Sequence, residues 1–216
     1  MVGIVSHDLR NPLSAILMGA KLLAHGETTS GKLRALGHVT SSATRAQRLI
    51  EELLDFTQAR VGQGITVVPR SFDLHGCIAT IVEELALAFP KRKIVHEQEG
   101  HGEVIADPDR IAQLLGNLVG NAMANGTPGS VVTIGSIIDL QTVMLSVHNL
   151  GDPIPEARIA SLFEPMVRGV PGDNDVRGVG LGLYIVKAIA TAHNGEVAVR
   201  SSWSQGTSFV FSFERQ

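Results

Sequence analysis

Near the N-terminus an imidazole, a carboxylate and an amide fall within five positions of one another, as His7, Asp8 and Asn11. An exposed imidazole can attack phosphorus through one ring nitrogen while a neighbouring carboxylate takes or orients the proton on the other. A second group of amides, Asn117 and Asn121, is spaced by four. On a helix both would share one face, where their oxygens suit a hard cation such as Mg²⁺; a plain polar stripe on a surface helix has the same spacing. Gly178, Gly180 and Gly182 alternate with apolar residues. Glycines let a backbone approach phosphate oxygens, and a helix starting there aims free N–H groups at the anion. Asn149 and Gly151 follow an apolar run and would sit at a strand end, either in a ligand site or in a simple turn.

These groups need elements to hold them. Apolar residues at Val2, Val5, Leu9, Leu13, Ile16, Ala20 and Leu23 recur in steps of three and four, which predicts a helix with one apolar stripe. His7, Arg10, Asn11, Ser14 and Lys21 fall on its polar face, so His7 is expected to face solvent, with a bend at Pro12. A second stripe runs through Leu36, Val39, Ala43, Ala46, Ile50 and Leu53, and turn formers over 25–30 join the two into a hairpin. Leu13, Ile16, Leu36, Ile50 and Leu53 are expected to find their partner only in a second copy, as a dimeric four-helix bundle.

Gly62, Gly64 and Pro69 mark a boundary, dividing the chain into 1–61 and 62–216. Beyond it, helices are predicted over 73–88, 108–125 and 181–193, and strands over 94–97, 131–138, 143–147, 196–200 and 208–213. The class is an α+β or α/β sandwich. The stretch 169–180 is rich in Gly, Asp and Asn without apolar period and reads as a mobile loop over a ligand.

Composition narrows the partners. A net charge of -3 over 216 residues offers no basic stripe, which argues against nucleic acid and anionic lipid. Cys77 is the single cysteine, so no internal disulfide forms. No apolar run approaches the roughly 20 residues that span a bilayer, so the segment is expected to be cytoplasmic, with any membrane-bound input domain outside it.

The run Ser6-His7-Asp8-Leu9-Arg10-Asn11-Pro12-Leu13 resembles the phosphoacceptor box of sensor histidine kinases. The run from Asp107 to Arg110, followed by Gln113 to Ala122, is similar to that family's asparagine box. Asn149-Leu150-Gly151 stands at its first glycine box, Phe163-Glu164-Pro165 with Arg168 at its phenylalanine box, and Gly178-Val179-Gly180-Leu181-Gly182 at its second glycine box. The resemblance implies a helical phosphoacceptor hairpin followed by an ATP-binding domain of the histidine kinase, gyrase and chaperone type. By it, His7 accepts the γ-phosphoryl group of ATP, Asp8 is the general base, and Asn11 orients water when the regulator is dephosphorylated. Asn117 and Asn121 would hold Mg²⁺ with ATP, whereas Asn149, Gly151, Arg168, Gly178, Gly180 and Gly182 would contact nucleotide. The implied partners are a second copy of the chain and the receiver domain of a response regulator.

The sequence also departs from the family pattern. Asn149 replaces the adenine-binding Asp, Pro153 the second glycine of the first box, Met166 a common aromatic, and Ala124 a frequent basic residue. A catalytically weakened dimeric platform or a regulator phosphatase is the alternative. A hydrolytic ATPase of the gyrase type would carry a Glu four residues before Asn121, where this chain has Asn117.

Overall fold

A computed structural model describes residues 2–24, 29–60, 62, 64–167 and 180–215, and the side chains of 2–8, 10 and 24 lie outside that description. The hairpin consists of α1 (Val2–Ala24) and α2 (Thr29–Arg60). Pro12 is accommodated inside α1 without ending it. The face of α1 turned to α2 carries half-buried Leu9, Ile16 and Leu23, with Pro12 and Gly19 buried between them. A side chain at Gly19 would meet Val39 and stand 3.3 Å from the Ala35 carbonyl oxygen, so the close helix approach needs glycine there.

This corrects the single seam expected from spacing. Leu13 and Leu36 are each 52% exposed and Ile50 48%, so they lie on a second apolar face, apart from Ile16. Leu53 also has a partner within the chain, because it packs against the core of the unit that follows. Steps of three and four identify an apolar helix face but do not separate two such faces on one helix.

The second unit runs β1 (Arg70–Asp73), α3 (Leu74–Ala88), β2 (Ile94–Glu99), β3 (Glu103–Ala106), α4 (Pro108–Asn125), β4 (Val132–Ile138), β5 (Thr142–Asn149), α5 (Glu156–Ile159), α6 (Gly182–Ala192), β6 (Glu196–Ser202) and β7 (Gly206–Glu214). A five-stranded sheet has the order β2-β4-β5-β7-β6, and β1 and β3 form a separate two-stranded ribbon. Only β2 and β4 pair in parallel; the other neighbours are antiparallel. Strict alternation along β4 and β5 buries Val132, Ile134, Val143, Leu145 and Val147 on one face, covered by α3, α4 and α6 through Ile78, Leu114, Leu118, Ile185 and Ile189. Among the described residues the buried core is aliphatic except for Phe56 on α2 and Phe209, Phe211 and Phe213 on β7.

Local signals explain the helix ends. Asp107 caps α4 by accepting from the amides of Asp109 at 3.0 Å and Arg110 at 3.2 Å, with Pro108 opening the helix. Burial pushes the Asp107 carboxyl up, but the amides of Val68, Arg110 and Asp109 and the Arg110 charge outweigh it and hold the group below its ordinary value. At the end of α6, Asn194 takes the left-handed conformation at φ 53°, and Gly195 N–H returns to the Ala190 carbonyl at 2.8 Å.

The hairpin docks through the C-terminal end of α2. Arg110 Nη1 donates to both Asp55 oxygens at 3.0 and 3.1 Å and to Gln113 Oε1 at 2.7 Å, while Gln113 Nε2 donates to Asp55 at 2.6 Å. Beside this network Phe56 meets Tyr184 edge-on with ring centres 5.4 Å apart. The end of α2 thus touches α4 and α6, the two helices that carry the asparagine box and follow the second glycine box.

One polar cluster makes stability pH-dependent. The buried Ser136 hydroxyl lies 2.8 Å from His75 Nδ1 and 2.7 Å from His96 Nε2. Burial, and then the neighbouring His75, lower the His96 pKa from its ordinary 6.5. The unfolded chain therefore binds a proton that the folded chain resists, so stability is full above about pH 6.5 and falls as pH drops below it. The melting temperature is expected to decline as pH falls below about 6.5, and His96→Gln to flatten that decline. Equal slopes for the two proteins would exclude His96 as the source.

Candidate ATP site

Several of the residues expected to contact nucleotide lie on α4 or against it. Asn117 and Asn121 lie on one face of that helix, and Asn117 Nδ2 donates to the Gly182 carbonyl at 3.4 Å, which joins the asparagine box to the second glycine box. With its nitrogen so placed, the Asn117 Oδ1 is left as an acceptor toward a cation. Asn121 Oδ1 accepts from Asn125 Nδ2 at 2.8 Å, which fixes its amide and leaves a second lone pair on the oxygen. Asn125 was not singled out in the sequence, although its spacing of four from Asn121 carries the signal.

At the other end of α4, Asn149 closes β5, is 4% exposed, and donates from Nδ2 to the Leu150 carbonyl at 3.2 Å. Gly151 lies against the end of α4: a Cβ there would stand 2.7 Å from the Asn125 carbonyl oxygen. The first glycine box is therefore packed onto the asparagine box through bare backbone.

The second glycine box precedes α6, whose N-cap Leu181 offers no side-chain acceptor to the first turn, and free N–H groups at a helix start suit an anion. Gly180 adopts φ 77°, and its carbonyl accepts from Met166 N–H at 2.9 Å. Met166 is itself left-handed at φ 65°, and Phe163 packs edge-on against Phe209 with centres 6.3 Å apart. The phenylalanine box is thus tied to the core on one side and to the second glycine box on the other. Arg168, Gly178 and all of the expected 169–180 lid except Gly180 lie outside the described residues, as do the side chains of His7 and Asp8. Asn11 is exposed on α1.

A two-layer α/β unit with two amides on one face of α4 and glycine contacts at both of its ends is an arrangement that suits a nucleotide. Residues 106–216 match the model of the histidine kinase-, DNA gyrase B-, and HSP90-like ATPase family, and residues 1–62 match the His Kinase A phosphoacceptor domain. The chain belongs to the histidine kinase family. It is 37% identical over 200 residues to a bacteriophytochrome from Pseudomonas aeruginosa, covering 92% of this chain and 27% of that protein. Among solved structures, full-length ShkA in complex with AMPPNP superposes with a TM-score of 0.71 at 26% identity, over 98% of this chain and 45% of ShkA. ThkA in complex with the response regulator TrrA shares the fold, with a TM-score of 0.69 at 24% identity over 100% of this chain and 61% of that one.

Proposed function

We propose that this chain is the transmitter core of a two-component sensor histidine kinase, in which His7 takes the γ-phosphoryl group of ATP and passes it to an aspartate of a response regulator. The observation that carries the reading is the convergence of both glycine boxes on α4, in a chain that also bears the phosphoacceptor hairpin. We divide the work at the 61/62 boundary, the hairpin accepting phosphate and the remainder holding ATP.

In the forward step an imidazole nitrogen of His7 bonds to the γ-phosphorus, the bond from that phosphorus to the β-γ bridging oxygen breaks, and ADP leaves. Asp8 takes the imidazole proton. Asn149 accepts from the adenine amino group, Gly180 and Gly182 bring backbone to the phosphates, and Arg168 and Gly178 are assigned to nucleotide with them. Asn117 and Asn121 fit Mg²⁺, since each offers an amide oxygen and hard cations prefer oxygen ligands. When bound, the ion neutralises charge on the phosphates. Asn11, on the same helix as His7, serves water attack on the phosphorylated regulator.

The partner regulator is supported by family membership and by the complex that ThkA forms with TrrA. Because the chain spans 27% of the bacteriophytochrome it matches, we place the signal-receiving part outside these residues. No described helix is long and apolar enough to cross a membrane, and we assign the work to the cytoplasm, where ATP is supplied.

Homodimerisation is supported by Leu13, Leu17 and Met18 on α1 and Leu33, Leu36 and Leu54 on α2, all more than half exposed in the single chain. Sedimentation is expected to give the dimer mass. Leu17→Lys with Leu54→Lys is expected to weaken the dimer by about two or more orders of magnitude, from lost apolar burial alone. Dimerisation unchanged in the double variant would place the interface elsewhere.

The reaction itself is tested by incubating the chain with γ-labelled ATP and Mg²⁺. Covalent label on His7 supports the proposal; ATP binding with no label supports the weakened platform instead.

A further inference from the structure

The asparagine at position 149 raises a problem that an aspartate would not. A carboxylate presents an oxygen whichever way it turns, whereas an amide presents oxygen in one orientation and N–H₂ in the other. Only the oxygen can accept from the amino group of adenine. Something must hold the amide.

A chain of hydrogen bonds does so. Asn149 Nδ2 donates to the Leu150 carbonyl at 3.2 Å, and the same carbonyl accepts from Thr127 N–H at 2.7 Å. In the flipped amide, Oδ1 would oppose the Leu150 oxygen, two acceptors without a proton between them. The bare backbone beside Nδ2 suits the observed orientation: a Cβ at Gly126 would stand 3.2 Å from it, and one at Gly151 3.5 Å.

Thr127 is held in turn by Arg92, which lies between α3 and β2. Its Nη1 donates to the Thr127 carbonyl, and to Ser130 Oγ at 3.3 Å and Ser130 O at 3.5 Å. Its Nη2 donates to the carbonyls of Met123 at 3.2 Å and Gly126 at 3.0 Å. One planar guanidinium thus gathers the end of α4 and the 126–130 loop, with its charge at the negative end of the helix dipole.

We propose that Arg92 is a positioning residue for base selection: through Thr127 and Leu150 it holds the Asn149 amide with Oδ1 toward the nucleotide, so that the site selects a 6-amino purine over a 6-oxo purine. The inference rests on Asn149 being the adenine contact. Arg92 touches no reacting atom. Its effect is on which face of the amide is presented.

The test measures calorimetric affinities of the full chain for ADP and IDP, which differ at purine C6 and in the linked proton at N1. The wild type is expected to prefer ADP, and Arg92→Ala to narrow the ADP-to-IDP ratio by about tenfold, as a freed amide offers N–H₂ to the oxo group. In an Asn149→Asp background, where both oxygens accept, Arg92→Ala should leave the ratio unchanged. Arg92→Lys, whose single ammonium cannot span both sides of the loop, should narrow the ratio as well, and it serves if the alanine variant does not fold. Equal weakening of both nucleotides, a ratio that also narrows in the Asn149→Asp background, an unchanged ratio in Arg92→Lys, or no ADP preference in the wild type overturns the relay alone. Failure of the wild type to bind ADP at all overturns the nucleotide site and the relay with it.

Discussion

His7→Gln is expected to reduce phosphoryl incorporation from ATP to background, while affinity for ADP stays within about twofold of the wild type. The amide nitrogen of glutamine has its lone pair delocalised into the carbonyl, so the side chain keeps polarity and loses nucleophilicity. The two readouts separate because His7 belongs to α1, whereas the residues assigned to nucleotide lie on α4, on β5 and at the start of α6. The end of α2 contacts α4 and α6 through Asp55 and Phe56, and glutamine at position 7 leaves those contacts intact. Label retained on the variant would move the acceptor to another residue; loss of ADP affinity would mean the hairpin contributes to the nucleotide site itself.

Gly180→Val is expected to lower both nucleotide affinity and stability. At φ 77° a β-branched residue is strongly disfavoured, and a Cβ there would stand 2.7 Å from the Val167 oxygen and 3.0 Å from the Met166 carbonyl carbon. Both obstacles are backbone, so the strain of about 1–3 kcal/mol is relieved only by breaking the pairing of Met166 N–H with the Gly180 carbonyl. That corresponds to about five- to 150-fold in affinity if the loop stem must be restored to bind. Gly182→Ala provides the contrast. Its Cβ would lie 3.7 Å from Asn117, an ordinary contact, so the melting temperature should hold while bound phosphate is crowded. Equal melting temperatures and equal ADP affinities in wild type and Gly180→Val would remove the second glycine box from the site.

The parts of the fold visible in the sequence were those with local punctuation. The helix predicted at 108–125 has the bounds of α4 because Asp107 and Pro108 open it and Gly126 closes it. The five strands of the main sheet stood out through apolar alternation. The ribbon of β1 and β3 did not: each strand has four residues, too few for a period, and they pair Asp73 with Glu103 and Arg70 with Ala106, far apart in the chain. On the hairpin, apolar residues serve two faces, so spacing merged Leu13 with Ile16 where the packing divides them.

The site was legible in its side chains and illegible in its supports. Asn117, Asn121, Gly180 and Gly182 stand out by type and spacing and Asn149 by the family resemblance; in the structure Asn117 meets Gly182 and Asn149 lies beside Gly126 at the end of α4, while Gly180 lies against Val167 and Met166. Arg92 sits in the basic triplet Lys91-Arg92-Lys93, which reads as a solvated charge run. Four of its five acceptors are backbone carbonyls, which leave no trace in residue types. The docking of Asp55 onto Arg110 and Gln113 was hidden for a related reason, since the partners are far apart in sequence and polar surface residues pair in many ways.

Transfer of phosphate from ATP to His7 is what separates a working kinase from an ATP-binding platform. The direct test incubates the wild-type chain with γ-labelled ATP and Mg²⁺, then divides the product between acid and base. One covalent label per active chain is expected, lost in acid, stable in base, and mapped to the peptide containing His7. A label stable in acid, or the absence of covalent label from a chain that binds ATP, would contradict it.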